Sequence, residues 1–275
     1  PELGSILAAG PTVDDNDLYS ARSVKVYTDG ALGSRGAALL EPYSDRAGHR
    51  GLLLTSQEQL RSIFSDAIGA GFQVAIHAIG DQGNRIGLDE VEHAYATIGG
   101  RELRHRMEHS QVVALEDIPR FKALDVIPSM QPTHATSDMN MAEDRLGKER
   151  LKGAYAWRTF VDQGSRLASG SDFPIELANP FHGLHSAVTR QSQKNQPVEG
   201  WIPEESLSIE EALRSFTIDA AWAAHQETVL GGLDSGKWAD FILIDQDIFK
   251  VSGEELWKTQ VNQTWIAGEL VYQRP

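Results

Sequence analysis

Cysteine is missing from all 275 residues. Neither a disulfide nor a thiolate ligand can contribute, and any metal this chain holds must sit on nitrogen and oxygen. Long apolar runs are missing too: none approaches the roughly 18 residues of a membrane span, and Pro1 opens no basic-then-apolar leader. Positive charge is scarce, with 25 Lys and Arg against 39 Asp and Glu, a net charge of -14 and a pI of about 5.0. That balance argues against nucleic acid and anionic membrane as partners, since both reward basic patches. What is present is ordinary: 41% hydrophobic and 23% charged residues suffice to bury a sizeable core. The expectation is a cytoplasmic globular protein that handles a small-molecule substrate.

Residues 71–81, GFQVAIHAIGD, hold the clearest local pattern. A run of β-formers ends on His77 and passes into a glycine-bearing turn, which reads as a buried strand delivering His77 to its carboxyl end. In folds built from parallel strands that end faces the site, because the βα loops gather there. Three more strands carry such groups: Lys25 lies in SVKVYTDG, His109 closes RHRMEHS and Asp172 closes RLASGSDFP. Between them the periodicity predicts helices. Ser56 with Gln59 forms a capping box ahead of the apolar stripe Leu60, Ile63, Phe64, Ala67 and Ile68, and Ser208 with Glu211 forms a second ahead of a helix through Ala224. Helices are also expected over 84–98, 118–124, 151–163 and 178–190, strands over 23–28, 104–109, 125–131 and 166–169, and a loop over 129–136. Pro128 weakens its strand. Strands near 26, 75, 107, 128 and 168, mostly separated by helices, make a βα series whose crossovers require a parallel sheet. From Val229 the composition turns to β-runs, with a hairpin signal around Gly268. The expected division is therefore 1–227 for the βα part and 228–275 for a small all-β piece.

Two imidazoles, an amine and a carboxylate at matching strand ends are chemically coherent as a metal site. A lone histidine there is as often a hydrogen-bonded structural residue. The pair His77 and His109 together with Asp172 favours a metal, because imidazole nitrogen and carboxylate are the donors that zinc takes when cysteine is absent. Asp172 reads as a general base towards water, set against the bland reading of a turn aspartate near glycine and proline. Lys25 conflicts with a metal while charged: an ammonium about 4 Å from a divalent ion is repelled by roughly 8 kcal/mol at an effective dielectric of about 20. Carboxylation of Lys25 by CO₂ would reverse that sign and offer two oxygens, enough to bridge two ions. Asp81 reads equally as an acceptor that orients a ligand and as a helix cap. Asp29 and Arg35 in DGALGSRGAALL, and Gln131 and His134 in SMQPTHA, are candidate substrate contacts, with a loop-cap alternative for the second pair. Trp157, Trp201 and Tyr155 line either a pocket or the core. His49, His93, His105, His182, His185 and His225 lack a supporting constellation.

The stretches VKVYTDGALGSRGAALL, HAIGD, RMEHSQVV, SMQPTHA, AYAWRTF, GSDFPIELANP, GLDSGKWADFILID and TWIAGELVY, in that order, resemble the amidohydrolase superfamily. Within it they resemble amidohydrolase family 3, which includes N-substituted formamide deformylase-like proteins, and the resemblance covers nearly the whole chain. It implies an α/β fold, a TIM-barrel metal-dependent hydrolase, present here as a partial barrel of strands four to eight with part of a small β-sandwich domain. It further implies Lys25 at the lysine position of barrel strand four, His77 and His109 as the metal ligands of strands five and six, and Asp172 as the strand-eight aspartate that contacts metal and serves as base. One or two divalent ions, zinc foremost, are implied. So is hydrolysis of carbon–nitrogen bonds other than peptide bonds, a deacylase acting on amide-like or N-formyl substrates with metal-activated water. Family members also carry a His-x-His pair on the first barrel strand, and no His-x-His occurs in this sequence. The chain is therefore expected to be the C-terminal half of a longer protein and inactive alone. The rival expectation is a non-catalytic binding or regulatory relative that kept the fold. Unpaired strand edges would in addition invite a homo-oligomer.

Overall fold

A computed structural model describes residues 2–275, which divide into two compact units. The first holds the residues up to Met130 with Asn140–Ala156 and Phe160–Ser165, and the second holds Gln131–Met139, Trp157–Thr159 and Arg166–Pro275.

The first unit opens with a helix over Glu2–Ala9 and a two-residue antiparallel pairing of Thr12–Val13 with Ser20–Ala21, elements too short to leave a periodic signal. Its centre is a parallel sheet of β1 (Ser23–Tyr27), β2 (Gln73–Ala78), β3 (Arg106–His109) and β4 (Ile127–Met130), neighbours in chain order. The crossovers are α1 (Gln57–Gly69), α2 (Asp81–Thr97) and α3 (Ile118–Leu124). The register aligns Tyr27, His77, Glu108 and Ser129 in one rung and Lys25, Ala75, Arg106 and Ile127 in the rung before it. Side chains alternate along a strand, so these rungs share one face, while Val24, Val26, Val74, Ile76, Met107 and Pro128 take the other. That second face is the core. Buried Val26, Val74, Ile76 and Met107 lie with Leu60, Phe64, Ala67 and Ile68 of α1 and Leu88 and Val91 of α2, each of these burials except that of Ala67 worth roughly 1.5–3 kcal/mol.

Local chemistry sets the element ends. The Gln59 N–H donates to Ser56 Oγ at 3.3 Å and the Ser56 N–H to Gln59 Oε1 at 3.1 Å, so α1 starts at its capping box. Pro128 keeps its place in β4 because the Ile127 N–H donates to the His105 carbonyl at 2.9 Å, and in an alternating ladder the missing proline N–H then points away from β3. The helix expected over 151–163 is broken into a 3₁₀ turn at Arg150–Gly153 and a helix at Trp157–Asp162. Between them Tyr155 takes a φ of 51° and gives its N–H to the Gln111 carbonyl at 2.7 Å, a tertiary bond that helix continuity would forfeit.

In the second unit the loop expected over 129–136 gives way to a helix at Pro132–Asp138. Pro132 starts it, since its absent N–H is one that the first turn leaves unpaired anyway. Next come β5 (Ala168–Ser169) and α4 (Pro180–Thr189), the latter capped by Asn179, whose Oδ1 accepts the Phe181 N–H at 3.0 Å. The Ser208 capping box begins α5 (Ile209–Phe216), but the chain breaks at Thr217, with φ -125° and ψ -89°, before α6 (Ile218–Ala223), where the sequence predicts one helix. The tail is an antiparallel sheet of β6 (Phe241–Ile244), β7 (Val261–Ile266) and β8 (Glu269–Gln273), with β7 in the middle. Ala267 and Gly268 turn the expected hairpin with φ of 50° and 80°.

Candidate metal centre

β2 leaves His77 on the polar face of the sheet, its side chain 12% exposed. The ring Nε2 is buried with no hydrogen-bond partner among the described residues, a costly condition for a polar atom. Burial above all, then the charges of His109 and Lys25, push the pKa of His77 down to about 3. The ring is therefore neutral at pH 7 with its lone pair available. The His109 ring stands edge-on with centroids 4.6 Å apart, and the Tyr27 ring lies at 4.9 Å. Asp29 Oδ1 is 3.7 Å from Nε2. A neutral, buried imidazole nitrogen without a protein partner, beside a second imidazole, is a donor set that suits a divalent ion.

Lys25 shares this face, with Nζ 5.3 Å from the Tyr27 ring centroid. Sequence reasoning does not single out Glu108, yet the register sets it next to His77. Burial works to raise its pKa, but the Arg106 charge, a 2.5 Å bond from Ser129 Oγ, the Lys25 charge and a 2.8 Å bond from Arg106 Nε outweigh burial and hold the carboxyl below its ordinary range. The signal lies in the run Arg106, Met107, Glu108, whose alternation is a clean period of two once the sheet is seen to turn its polar face to the site.

The loops are tied from within. Asp29 is fully buried, and its carboxylate accepts the N–H groups of Ala38 at 2.8 Å, Ile79 at 3.0 Å and Gly80 at 2.8 Å. Burial raises its pKa to about 6 against the pull of those bonds. Position 80 requires glycine, since a Cβ there would lie 2.0 Å from the Ala38 carbonyl oxygen. Arg35 grips Asp45 through Nε at 3.0 Å and Nη2 at 2.8 Å. Of the two residues proposed from sequence as substrate contacts in this loop, Arg35 is engaged within it, while Asp29 ties it to the loop after β2. Asp81 is the first residue of α2, accepting the N–H groups of Gln82 at 2.9 Å and Leu40 at 2.8 Å. The N-cap position is Gly80 and carries no side-chain cap bond, so Asp81 is not the helix cap and instead fastens the Leu40 segment to the start of α2.

His109 closes β3 with φ 78°, followed by Ser110 at 43°, and in the second unit Asp172 sits at 57°. Left-handed backbone is uncommon for such residues, and where it occurs it aims a side chain that regular strand would aim elsewhere. The Asp172 carboxylate is 39% exposed, with Oδ2 3.8 Å from Nε2 of His134. Gln131 and His134 flank the start of the helix at Pro132–Asp138, both largely buried. Tyr155 and Trp157 are 1% exposed, and the Arg190 guanidinium stacks 4.1 Å from the Trp157 ring and 5.3 Å from Trp201, so these aromatics serve packing. His185 lies between the carbonyls of Gly253 at 2.9 Å and Ser192 at 3.1 Å, and His49 meets the Arg35 carbonyl at 2.8 Å, both structural arrangements. Among the described residues no helix is long and apolar enough to cross a membrane.

Residues 8–272 match the sequence profile described as "Amidohydrolase family". The Arabidopsis thaliana protein LONG AFTER FAR-RED 3 is 36% identical over 250 residues, 90% of this chain and 42% of its own length. The putative amidohydrolase YtcJ of Bacillus subtilis is 34% identical, covering 92% of this chain and 47% of its own. The N-substituted formamide deformylase of Arthrobacter pascens is 27% identical, covering 98% and 49%. The crystal structure of an uncharacterized metal-dependent hydrolase from Pyrococcus furiosus matches with a TM-score of 0.79 at 34% identity, over 91% of this chain and 50% of that one. The chain spans about half the length of the curated relatives it matches. Its βα series has the α/β architecture of a partial TIM barrel.

Proposed function

This chain belongs to the amidohydrolase family, and on that premise we propose that it furnishes a metal-dependent hydrolase of carbon–nitrogen bonds other than peptide bonds with two imidazoles, a lysine and a proton-carrying aspartate. The observation that carries the proposal is His77, a buried neutral ring whose Nε2 has no hydrogen-bond partner among the described residues. His77, His109, Lys25 and Asp172 are the proposed metal-holding groups. Zinc, in one or two copies, is the proposed ion for an all nitrogen and oxygen donor set. When bound, it would supply a Lewis acid that polarises the carbonyl of an amide-like or N-formyl substrate and acidifies water.

The chain's own side chains do the rest. Asp172 accepts the proton that the attacking water loses and gives it to the departing nitrogen as the carbon–nitrogen bond breaks, so hydroxyl ends on the acid and hydrogen on the amine. His134, 3.8 Å from that carboxylate, orients it, and His134 and Gln131 are the proposed substrate contacts. Carboxylation of Lys25 would turn a cation in this site into an anionic ligand. Asp29 and Arg35 serve by holding the loop after β1. We assign 1–227 to the barrel and 228–275 to the small β domain, a division supported by the change from parallel to antiparallel pairing. Because the sequence contains no His-x-His, we further propose that these residues alone turn over little or no substrate.

Metal content of the purified chain tests the reading. Elemental analysis should find about one equivalent or more of a transition metal, lost in both His77→Ala and His109→Ala, because each removes a nitrogen donor. A chain that takes up no metal, or variants that keep it, would sink the proposal.

A further inference from the structure

The loops after β1 and β3, the start of α2 and the turn at Arg150–Gly153 surround an open cleft of about 620 Å³, entirely within the first unit. That volume is in the range of small-molecule sites, and the carboxyl end of parallel strands is where α/β folds place them. Leu40, Val112, Val113, Ala114 and Leu115 give it an apolar wall. Glu41, Glu116, Glu149 and Lys152 stand at the rim, largely exposed, and Arg85 is committed to Asp117 at 2.7 Å and Glu116 at 2.6 Å. Two charged groups lie deeper. Asp81 is 5% exposed; its Oδ1 takes the N–H groups of Leu40 and Gln82, while Oδ2 takes none among the described residues yet keeps accessible surface, so the carboxylate meets the cleft through Oδ2. Arg150, half-buried, donates from Nε to the Leu146 carbonyl at 2.7 Å, from Nη1 to the Glu41 carbonyl at 3.0 Å, and from Nη2 to the Pro42 carbonyl at 2.9 Å and Ser44 Oγ at 3.0 Å. Four of its five N–H groups are thus spent on neutral oxygens, and one on Nη1 is left. Burial raises the pKa of Asp81 against its two backbone bonds and the charges of Arg150 and Arg85. Carboxylate and guanidinium therefore feel each other across the cleft, each fixed by neutral neighbours, without forming a pair.

An ion pair held open in this way suits a ligand that carries both charges. A cation alone would answer Asp81 and be repelled by Arg150, an anion alone would do the reverse, and a neutral molecule would leave both without a counter-charge. We propose that this cleft binds a free α-amino acid with an apolar side chain, its ammonium donating to Asp81 Oδ2, its carboxylate accepting from Arg150 Nη1 and its side chain lying on the apolar wall. Neither Asp81 nor Arg150 is among the groups proposed to hold metal or substrate, so the inference goes beyond the hydrolase reading and does not depend on it.

L-Leucine is the probe, titrated into the purified chain by isothermal calorimetry beside 4-methylpentanoate, which lacks the ammonium, and 3-methylbutylamine, which lacks the carboxylate. Leucine should bind saturably, and each analogue about tenfold or more weakly, the worth of one charged hydrogen bond. Asp81→Asn keeps an oxygen for the N–H groups of Leu40 and Gln82 and turns Oδ2 into a donor. It should weaken leucine about tenfold or more while the circular dichroism spectrum stays that of the parent chain. Heats that never saturate, or either analogue binding as tightly as leucine, would overturn the proposal; both are read on the unaltered chain, so they decide even where the variant fails to fold. A folded Asp81→Asn chain that binds leucine undiminished, as it would if a metal elsewhere took the amino acid, would overturn it equally.

Discussion

A proton offered to His77 meets three obstacles: burial, the neighbouring His109 imidazole and the Lys25 ammonium, which together push the pKa from about 6.5 to about 3. In the unfolded chain the ring takes its proton near its ordinary value, so between those limits the unfolded state binds more protons than the folded one. Stability should therefore fall as pH drops from about 6.5 towards 3 in the metal-free chain. His77→Gln should flatten that part of the curve in urea midpoints measured against pH, and an unchanged slope would count against the assignment. Asp29 is the other residue on which much hangs. Asp29→Ala would orphan three buried N–H groups at once, and at about 1–3 kcal/mol for each the chain should lose about 3 kcal/mol or more in denaturant titration. Asp29→Asn, which keeps one oxygen, should cost less.

Among the elements, the helix starts depend on chemistry within four residues. Ser56→Ala removes the hydroxyl that accepts the Gln59 N–H and should cost about 1 kcal/mol, read as a lowered thermal midpoint, with no change in metal content. Such local signals are why both capping boxes, the strand ends at His77 and His109, and the β hairpin around Gly268 are legible in the sequence. Features decided across long separations are not. The break at Tyr155 follows from a bond to Gln111, and the seven-residue helix at Pro132 has no side-chain cap to announce it. The place of Glu108 beside His77 follows from strand register, and the engagement of Asp29 depends on residues 79 and 80, far along the chain. His134 is legible as a polar residue after a strand. Its approach to Asp172 needs the fold.

For the molecule as a whole, charge and apolar surface pull in opposite directions. A net charge of -14 keeps copies apart, while the tail sheet exposes Ile242, Leu243, Leu270, Val271 and Tyr272 and ends in unpaired edges. Screening the repulsion should favour association, so size-exclusion at rising sodium chloride should show the 30.2 kDa chain moving to earlier elution, and Leu270→Lys should blunt the effect. Elution as a monomer at every salt concentration would remove the expectation of a homo-oligomer. The three backbone bonds to Asp29 have a consequence for anyone rebuilding this protein. They make residues 29–38 and 78–83 a single cassette, so a graft that transplants either loop alone from a relative would sever its fastening, and any exchange of specificity between relatives would have to move both loops together.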